Sequence, residues 1–336
     1  MRFIIYGAGA IGGIIGGHLF RTGYEVVLVG NGKHVDTINA NGLRLLTPAD
    51  TYILRIPACK RAEELTPFRD DDVVVLTAKS QHTILCLGQL KNAGAERSLP
   101  IFCAQNSIVN EPAATRVFDN VYGVMINLPG IFLNAGEVVN PITGNAGFIE
   151  VGRYPRGSDE LTEKVASALN IAGFVCRVND WVMKAKAAKS MLNLGNSLEA
   201  ITDGRGNGDA FIRAARKEAE AVWNLAGIEW EDFEKYENRV KTIRGTNKMP
   251  KGWEGQNKRS STWQSLTKGT GNIEAEFLNG DIVKLGRSLK IETPYNEILW
   301  KVAESMAAKD EKPGRYSAEE LTKMVNLTNL GVRSSL

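Results

Sequence analysis

The first eighteen residues constrain this chain more than any other stretch. Met1-Arg-Phe-Ile-Ile-Tyr6 is an apolar run that reaches Gly7-Ala8-Gly9-Ala10-Ile11-Gly12-Gly13 and opens directly into a small-residue segment ending at His18. Strand, glycine turn and helix in immediate succession give G-x-G-x-x-G a mechanism. Gly7 permits the tight turn, Gly9 lets a pyrophosphate approach the backbone, and Gly12 lets the helix close on the strand. Ala8, Ala10 and Ile11 complete the turn, and the helix N-terminus offers unpaired N–H groups and partial positive charge to phosphates. A second strand-like run, Glu25-Val-Val-Leu-Val29, follows at the spacing of a βαβ unit. The stretch reads as a site for NADP or NAD; the bland alternative is a glycine-rich turn that binds nothing.

The residue that reads the adenosine ribose is expected about 20 residues beyond the glycines, at the end of the second strand. An acid there favours NAD and an arginine favours NADP. The chain offers Asn31 and Lys33. Farther on, Val73-Val-Val-Leu76 and Pro100-Ile-Phe-Cys-Ala104 are apolar throughout, as central parallel strands are. They end in Thr77-Ala-Lys79 and Gln105-Asn106-Ser107. Strands alternating with helices imply a parallel sheet, whose ligands gather at the C-terminal strand ends. Lys79 and Asn106 are therefore candidates, against the plainer roles of solvated loop lysine and helix cap.

From 121 to 150 the chain reads as meandering strands that extend the sheet. Near residue 180 the pattern changes to helix, over 181–203, 208–226, 230–241, 260–288 and 294–308. The fold class is α/β, with an N-terminal Rossmann-type dinucleotide-binding domain over 1–179 and a C-terminal all-helical domain over 180–336, close to the roughly two domains that 336 residues suggest. Residues 244–259 form a long polar, basic loop with Trp253, expected to be mobile and to close over the site.

Composition excludes more than it specifies. A net charge of +3 gives no reason to expect nucleic acid. No apolar run reaches the ~20 residues that cross a bilayer. Cys59, Cys86, Cys103 and Cys176 are scattered, and no export signal precedes the first strand, so a cytoplasmic protein with reduced thiols is expected. His18, His34 and His82 are far apart, and no metal-ligand spacing exists.

The segment from Trp181 to Ala200 is the second informative stretch. Lys189, Asn193 and Asn196 (or Ser197) are spaced to share one face of a helix otherwise rich in Met and Leu. Polar groups on such a face are costly without partners, so a site wall is the economical explanation. The alternative is a surface helix on which Lys184, Lys186 and Lys189 are all solvated.

Taken with Ser260-Ser261-Thr-Trp-Gln264 and Glu274-Ala-Glu276-Phe-Leu-Asn279-Gly280, these motifs resemble the ketopantoate reductase (2-dehydropantoate 2-reductase) family over nearly the whole chain. That family's marks fall on Gly7/Gly9/Gly12, Lys79, Gln105-Asn106, Lys189/Asn193, Ser261/Gln264, Glu274/Asn279-Gly280 and Thr293-Pro294-Tyr-Asn296. The resemblance implies an oxidoreductase that reduces a 2-oxo acid with NADPH or NADH, ketopantoate to pantoate in pantothenate biosynthesis being the leading pair. It implies Lys189 as general acid and Glu274 as the group that orients the substrate hydroxyl or the lysine. Asn106, Asn193, Ser261 and one of Asn196 and Ser197 would hold the substrate, and Lys79 would neighbour substrate and cofactor. Its partner is a small 2-oxo acid, with a homodimer the one assembly left open. The chain departs from the pattern at Ser107 (usually glycine), Ile273, Glu276 and Asn31 (often arginine). A dehydrogenase for another branched or aromatic 2-oxo acid is the alternative, and a non-catalytic NAD(P) sensor is the rival of another class.

Overall fold

The computed structural model describes residues 1–253, 259–269, 271 and 273–329. Part of the basic loop, 254–258, and Asn272 lie outside the described residues. By its internal contacts the chain divides into two compact units, Met1–Lys186 with Glu231–Gln256, and Ala187–Trp230 with Asn257–Leu336.

In the first unit, β1 (Arg2–Tyr6) leads through the glycine turn into α1 (Ala10–Arg21), then β2 (Glu25–Val29) and α2 (Gly32–Asn41). An antiparallel pair, β3 (Leu43–Leu46) and β4 (Thr51–Leu54), precedes β5 (Ala58–Cys59), β6 (Asp72–Leu76), α3 (Thr83–Asn92), β7 (Ile101–Cys103), α4 (Asn110–Ala114) and β8 (Val121–Asn127). β9 (Glu137–Val139), β10 (Ile142–Thr143), β11 (Phe148–Arg153), α5 (Glu160–Ile171) and β12 (Val175–Val178) follow. The main sheet has the order β12-β11-β8-β7-β6-β1-β2-β5. All its pairings are parallel except β8 with β11. β9 joins β3 and β4 in a separate small sheet, so the expected extension of the main sheet is carried by β8, β11 and β12.

The alternation of side chains explains the apolar runs. Phe3 and Ile5 of β1, with Val73 and Val75 of β6, enter one core layer; Ile4 and Tyr6, with Val74 and Leu76, enter the other. Both faces are covered, so neither can be polar. Two buried carboxylates are neutralised late in the sequence. Glu111 on α4 pairs with Lys186, whose ammonium also donates to the Cys103 carbonyl at 2.7 Å. Glu150 on β11 accepts from Arg239 at 3.0 Å.

Those partners sit on α6 (Val182–Asn193) and α9 (Phe233–Ile243). The boundary expected at residue 180 therefore differs from the observed division. That division falls inside α6, and α9 with the chain after it packs on the first unit. Much of the loop expected to be mobile is pinned there. β13 (Thr246–Asn247) pairs with β10, Lys248 N–H donates to the Pro141 carbonyl, and Met249 and Trp253 cover Leu46, Ile131 and Val139.

The second unit contains the rest of α6, α7 (Gly195–Thr202), α8 (Asp209–Ala226), α10 (Ser261–Lys268), α11 (Asn279–Leu289), α12 (Pro294–Ala308) and α13 (Ala318–Asn329). Two helices expected to be continuous are broken. The 181–203 helix stops at Asn193 and restarts at Gly195; the Leu194 carbonyl between them accepts the Asn279 side-chain amide at 3.2 Å. A side chain inserted at a helical carbonyl is a recognised cause of such breaks. The 260–288 helix ends at Gly269, whose φ of 64° is left-handed, as helix C-caps favour.

Candidate active site

The glycine turn has the form its motif demands, each glycine for a different reason. Gly7 has φ +123°, and a Cβ there would lie 2.3 Å from the Ala78 nitrogen. A Cβ on Gly12 would lie 2.1 Å from the Gly7 carbonyl oxygen. A Cβ on Gly9 would meet nothing within 4 Å. The fold therefore requires Gly7 and Gly12 but does not itself require Gly9. Open space over Gly9, beside the first turn of α1 with its unpaired N–H groups and no acidic side chain, is what a pyrophosphate needs. The residues present fit a dinucleotide. Asn31 is the N-cap residue of α2 with no capping hydrogen bond, and Lys33 lies in that helix's first turn; both are exposed.

Three loops at this edge of the sheet are tied to one another. Thr77 Oγ1 donates to the Gly7 carbonyl at 2.7 Å. Gln105 Nε2 donates to the Ala78 carbonyl at 2.8 Å and to Thr83 Oγ1 at 2.7 Å. Ser80 Oγ and Asn110 Nδ2 both donate to the Asn106 carbonyl. The glycine turn, Lys79 and Asn106 are thus brought together within the first unit. Ser107, at the position where the family pattern has glycine, takes φ +71°, the left-handed region that glycine enters without strain.

A second set of candidates lies within the other unit. Lys189 and Asn193 lie on α6, half-buried, with Asn193 its last residue. Ser260 caps α10 by accepting the Trp263 N–H, and its hydroxyl donates to the Asn196 carbonyl at 3.4 Å. Ser261, the first residue of α10, therefore stands near the start of α7. Glu274 is buried five residues before Asn279. Asn279 fastens the junction of α6 and α7 to α12. Its Nδ2 reaches the Leu194 carbonyl and Asn296 Oδ1, and its Oδ1 accepts from Ser197 Oγ at 2.7 Å. Asn296 in turn donates to Glu218, which also accepts the N–H groups of Tyr295 and Asn296. Burial raises the Glu218 carboxyl above its usual range.

This geometry corrects two readings of the sequence. Ser197 is fully buried and its hydroxyl is committed to Asn279, so of the two alternatives Asn196 is the half-exposed one. Lys186 is not solvated: it is 3% exposed and paired with Glu111. The sequence reading also missed what Asn279 and Asn296 do. Both stood out as motif residues, but their side chains meet only across 17 positions of sequence. Gly280 has a packing reason, since a Cβ there would lie 2.9 Å from the Trp300 indole.

The profile of the family described as Ketopantoate reductase PanE/ApbA matches residues 3–156, and that of its C-terminal part matches 182–307. The chain belongs to the ketopantoate reductase family. A 2-dehydropantoate 2-reductase of Pyrococcus horikoshii is 27% identical over 311 residues, covering 89% of this chain and 95% of that protein. The crystal structure of a PanE/ApbA family ketopantoate reductase from Ralstonia eutropha JMP134 superposes with a TM-score of 0.77 at 27% identity, covering 92% of this chain and 99% of that one. D-mandelate dehydrogenase in complex with NADH and anilino(oxo)acetate shares the fold, with a TM-score of 0.76 at 21% identity over 92% of this chain and 99% of that one. Among the described residues no helix is long and apolar enough to cross a membrane, and no cluster of His, Cys, Asp and Glu could hold a metal ion.

Proposed function

We propose that this ketopantoate reductase family member reduces a 2-oxo acid to a 2-hydroxy acid with NADPH or NADH, ketopantoate to pantoate being the leading pair. What supports the reading is the Asn279 network, which ties the chain just after Asn193 to Ser197 and Asn296, together with a Gly9 that is open to a ligand. A sensor would need only the glycine turn. Relatives named 2-dehydropantoate 2-reductase support the substrate class.

Gly7, Ala8, Gly9, Ala10, Ile11 and Gly12 would hold the pyrophosphate. Asn31 and Lys33 would face the adenosine ribose, where Lys33 offers a point charge rather than an arginine's fork. The nicotinamide, when bound, supplies the hydride. Reduction leaves negative charge on the carbonyl oxygen, and an ammonium placed there stabilises it and returns a proton. Lys189 is assigned that role. Glu274 orients the hydroxyl or the lysine, Asn106, Asn193, Asn196 and Ser261 hold the substrate, and Lys79 stands beside the cofactor. Four free, buried cysteines suit a cytoplasmic protein.

The test is an initial-rate screen with NADPH and NADH against a panel of 2-oxo acids that includes ketopantoate. Lys189→Ala is expected to lower kcat by ~10²–10⁴-fold, the usual worth of a positioned proton donor, with cofactor affinity nearly unchanged. Lys184, which packs on the Trp181 ring, is the control. A Lys189→Ala enzyme that keeps full turnover would sink the assignment.

A further inference from the structure

Arg244 is a cation of the first unit that the family motifs do not cover. It caps the C-terminus of α9 and is half-buried. Its Nη1 donates to Asn127 Oδ1 at 2.9 Å. Among the described residues it has no carboxylate partner; burial lowers its pKa, and the one titratable neighbour is the buried Tyr236. The contrast is with Arg239, one turn earlier, which is paired with both Glu150 and Glu231. A half-buried guanidinium without an acid is costly unless an anion arrives.

Its position says which anion. β8 is level with β7 at Gly123 and Cys103, and runs four residues farther, to Asn127. At ~3.3 Å per residue, Asn127 stands about 13 Å beyond that level, on the side where the loops of Lys79 and Asn106 lie. Three residues later, a Cβ on Gly130 would lie 3.0 Å from the Ala10 Cβ, in the first turn of α1. Three residues span at most about 11 Å, so the Asn127 backbone is within that reach of the pyrophosphate end of α1. A dinucleotide on this edge has its adenosine at β2, on one side of β1. Its nicotinamide then extends to the other side, toward β6, β7 and β8. Arg244 is therefore on the reacting side and away from the ribose phosphate.

We propose that Arg244 binds the carboxylate of the 2-oxo acid substrate. The proposal rests on the reduction reading above. The planar guanidinium offers two parallel N–H donors to a carboxylate, with Asn127 fixing its remaining edge. The carboxylate is common to every 2-oxo acid, so Arg244 selects the class and leaves the choice of side chain to other residues.

Arg244→Gln and Arg244→Lys test it, with kcat, KM and NADPH affinity measured separately. Arg244→Gln is expected to raise KM for the 2-oxo acid by about tenfold to a hundredfold, the loss of one charge-assisted contact. NADPH should bind within twofold of wild type. The wild-type preference for a 2-oxo acid over its neutral amide should collapse in the variant, and added guanidinium should partly restore the acid. Arg244→Lys, which keeps the charge, should lie between. Unchanged KM in both variants overturns the proposal; so does weakened NADPH binding with the acid-to-amide preference intact. Calorimetric titration of oxamate into the NADPH-loaded protein gives a readout without turnover. Should the wild type reduce no 2-oxo acid, the reduction reading fails by itself. Equal oxamate affinity in wild type and Arg244→Gln would then overturn the role of Arg244, and weaker affinity in the variant would uphold it.

Discussion

At the scale of single residues, the three motif glycines separate what the fold needs from what the ligand needs. Gly7→Ala forces φ +123° on an alanine and drives its Cβ into the β6 loop, so it should cost several kcal/mol or abolish folding. Gly9→Ala should unfold at the wild-type denaturant midpoint yet lose most of its NADPH affinity by fluorescence titration. Loss of stability in Gly9→Ala, or tight NADPH binding by it, would remove the case for a cradle. Lys186 gives an opposite lesson. Glu111 is buried enough that its carboxyl sits above its usual range despite the ammonium beside it. Lys186→Ala strands that carboxylate and should cost about 3–5 kcal/mol in urea unfolding, while Lys186→Met with Glu111→Gln together should cost less. His18 sets a pH dependence. Burial pushes its imidazole down to about 4, while Asn140 and Phe174 hold the ring in place. The unfolded chain takes up a proton near 6.5 that the native state refuses until about 4, so stability falls as pH drops through that window. Relative to a His18→Gln variant, wild type should lose about 2 kcal/mol between pH 7 and pH 5. The comparison cancels the opposing contribution of Asp281, whose carboxyl is raised to about 6 by burial and which gains stability on acidification.

Among the elements, the junction of α6 and α7 carries the most meaning. A helix drawn on the sequence from 181 to 203 places Lys189, Asn193 and Asn196 in one unbroken stripe. The observed chain breaks between Asn193 and Gly195, where Asn279 takes the Leu194 carbonyl. Asn279→Ala removes partners from Leu194, Ser197 and Asn296 together, and should cost about 2–4 kcal/mol. Hydrogen exchange should quicken first in α7, and uniform exchange across both helices would argue against a local clasp. The break was not legible because it depends on a side chain 85 positions away, whereas helix periodicity is local. The glycine turn, β1, β2, β6 and β7 were legible for the converse reason. Each is a short segment whose apolar pattern and turn chemistry lie within ten residues. Lys79 and Asn106 could be placed at strand ends, but not the Thr77, Gln105 and Ser80 bonds that join those ends. The basic loop misled through its composition, since its anchorage runs through backbone pairing and two apolar side chains.

The whole molecule is two units whose sequences interleave. A fragment of residues 1–179, the domain as a composition shift would cut it, lacks Lys186 and Arg239 and leaves Glu111 and Glu150 buried without cations. Such a fragment should show no cooperative urea transition and little near-ultraviolet dichroism. A native-like transition would mean that those pairs are dispensable. The same interleaving has a consequence during synthesis. Glu150 leaves the ribosome 89 residues ahead of Arg239. At about 5–20 residues per second, the nascent sheet waits on the order of 5–20 s for its counter-ion. Throughout that interval β11 holds an acid it cannot bury, and the half-made unit is a natural client for a holding chaperone. A run of rare codons between 187 and 238 would lengthen the exposure and lower the yield of soluble enzyme without altering any residue of the finished protein.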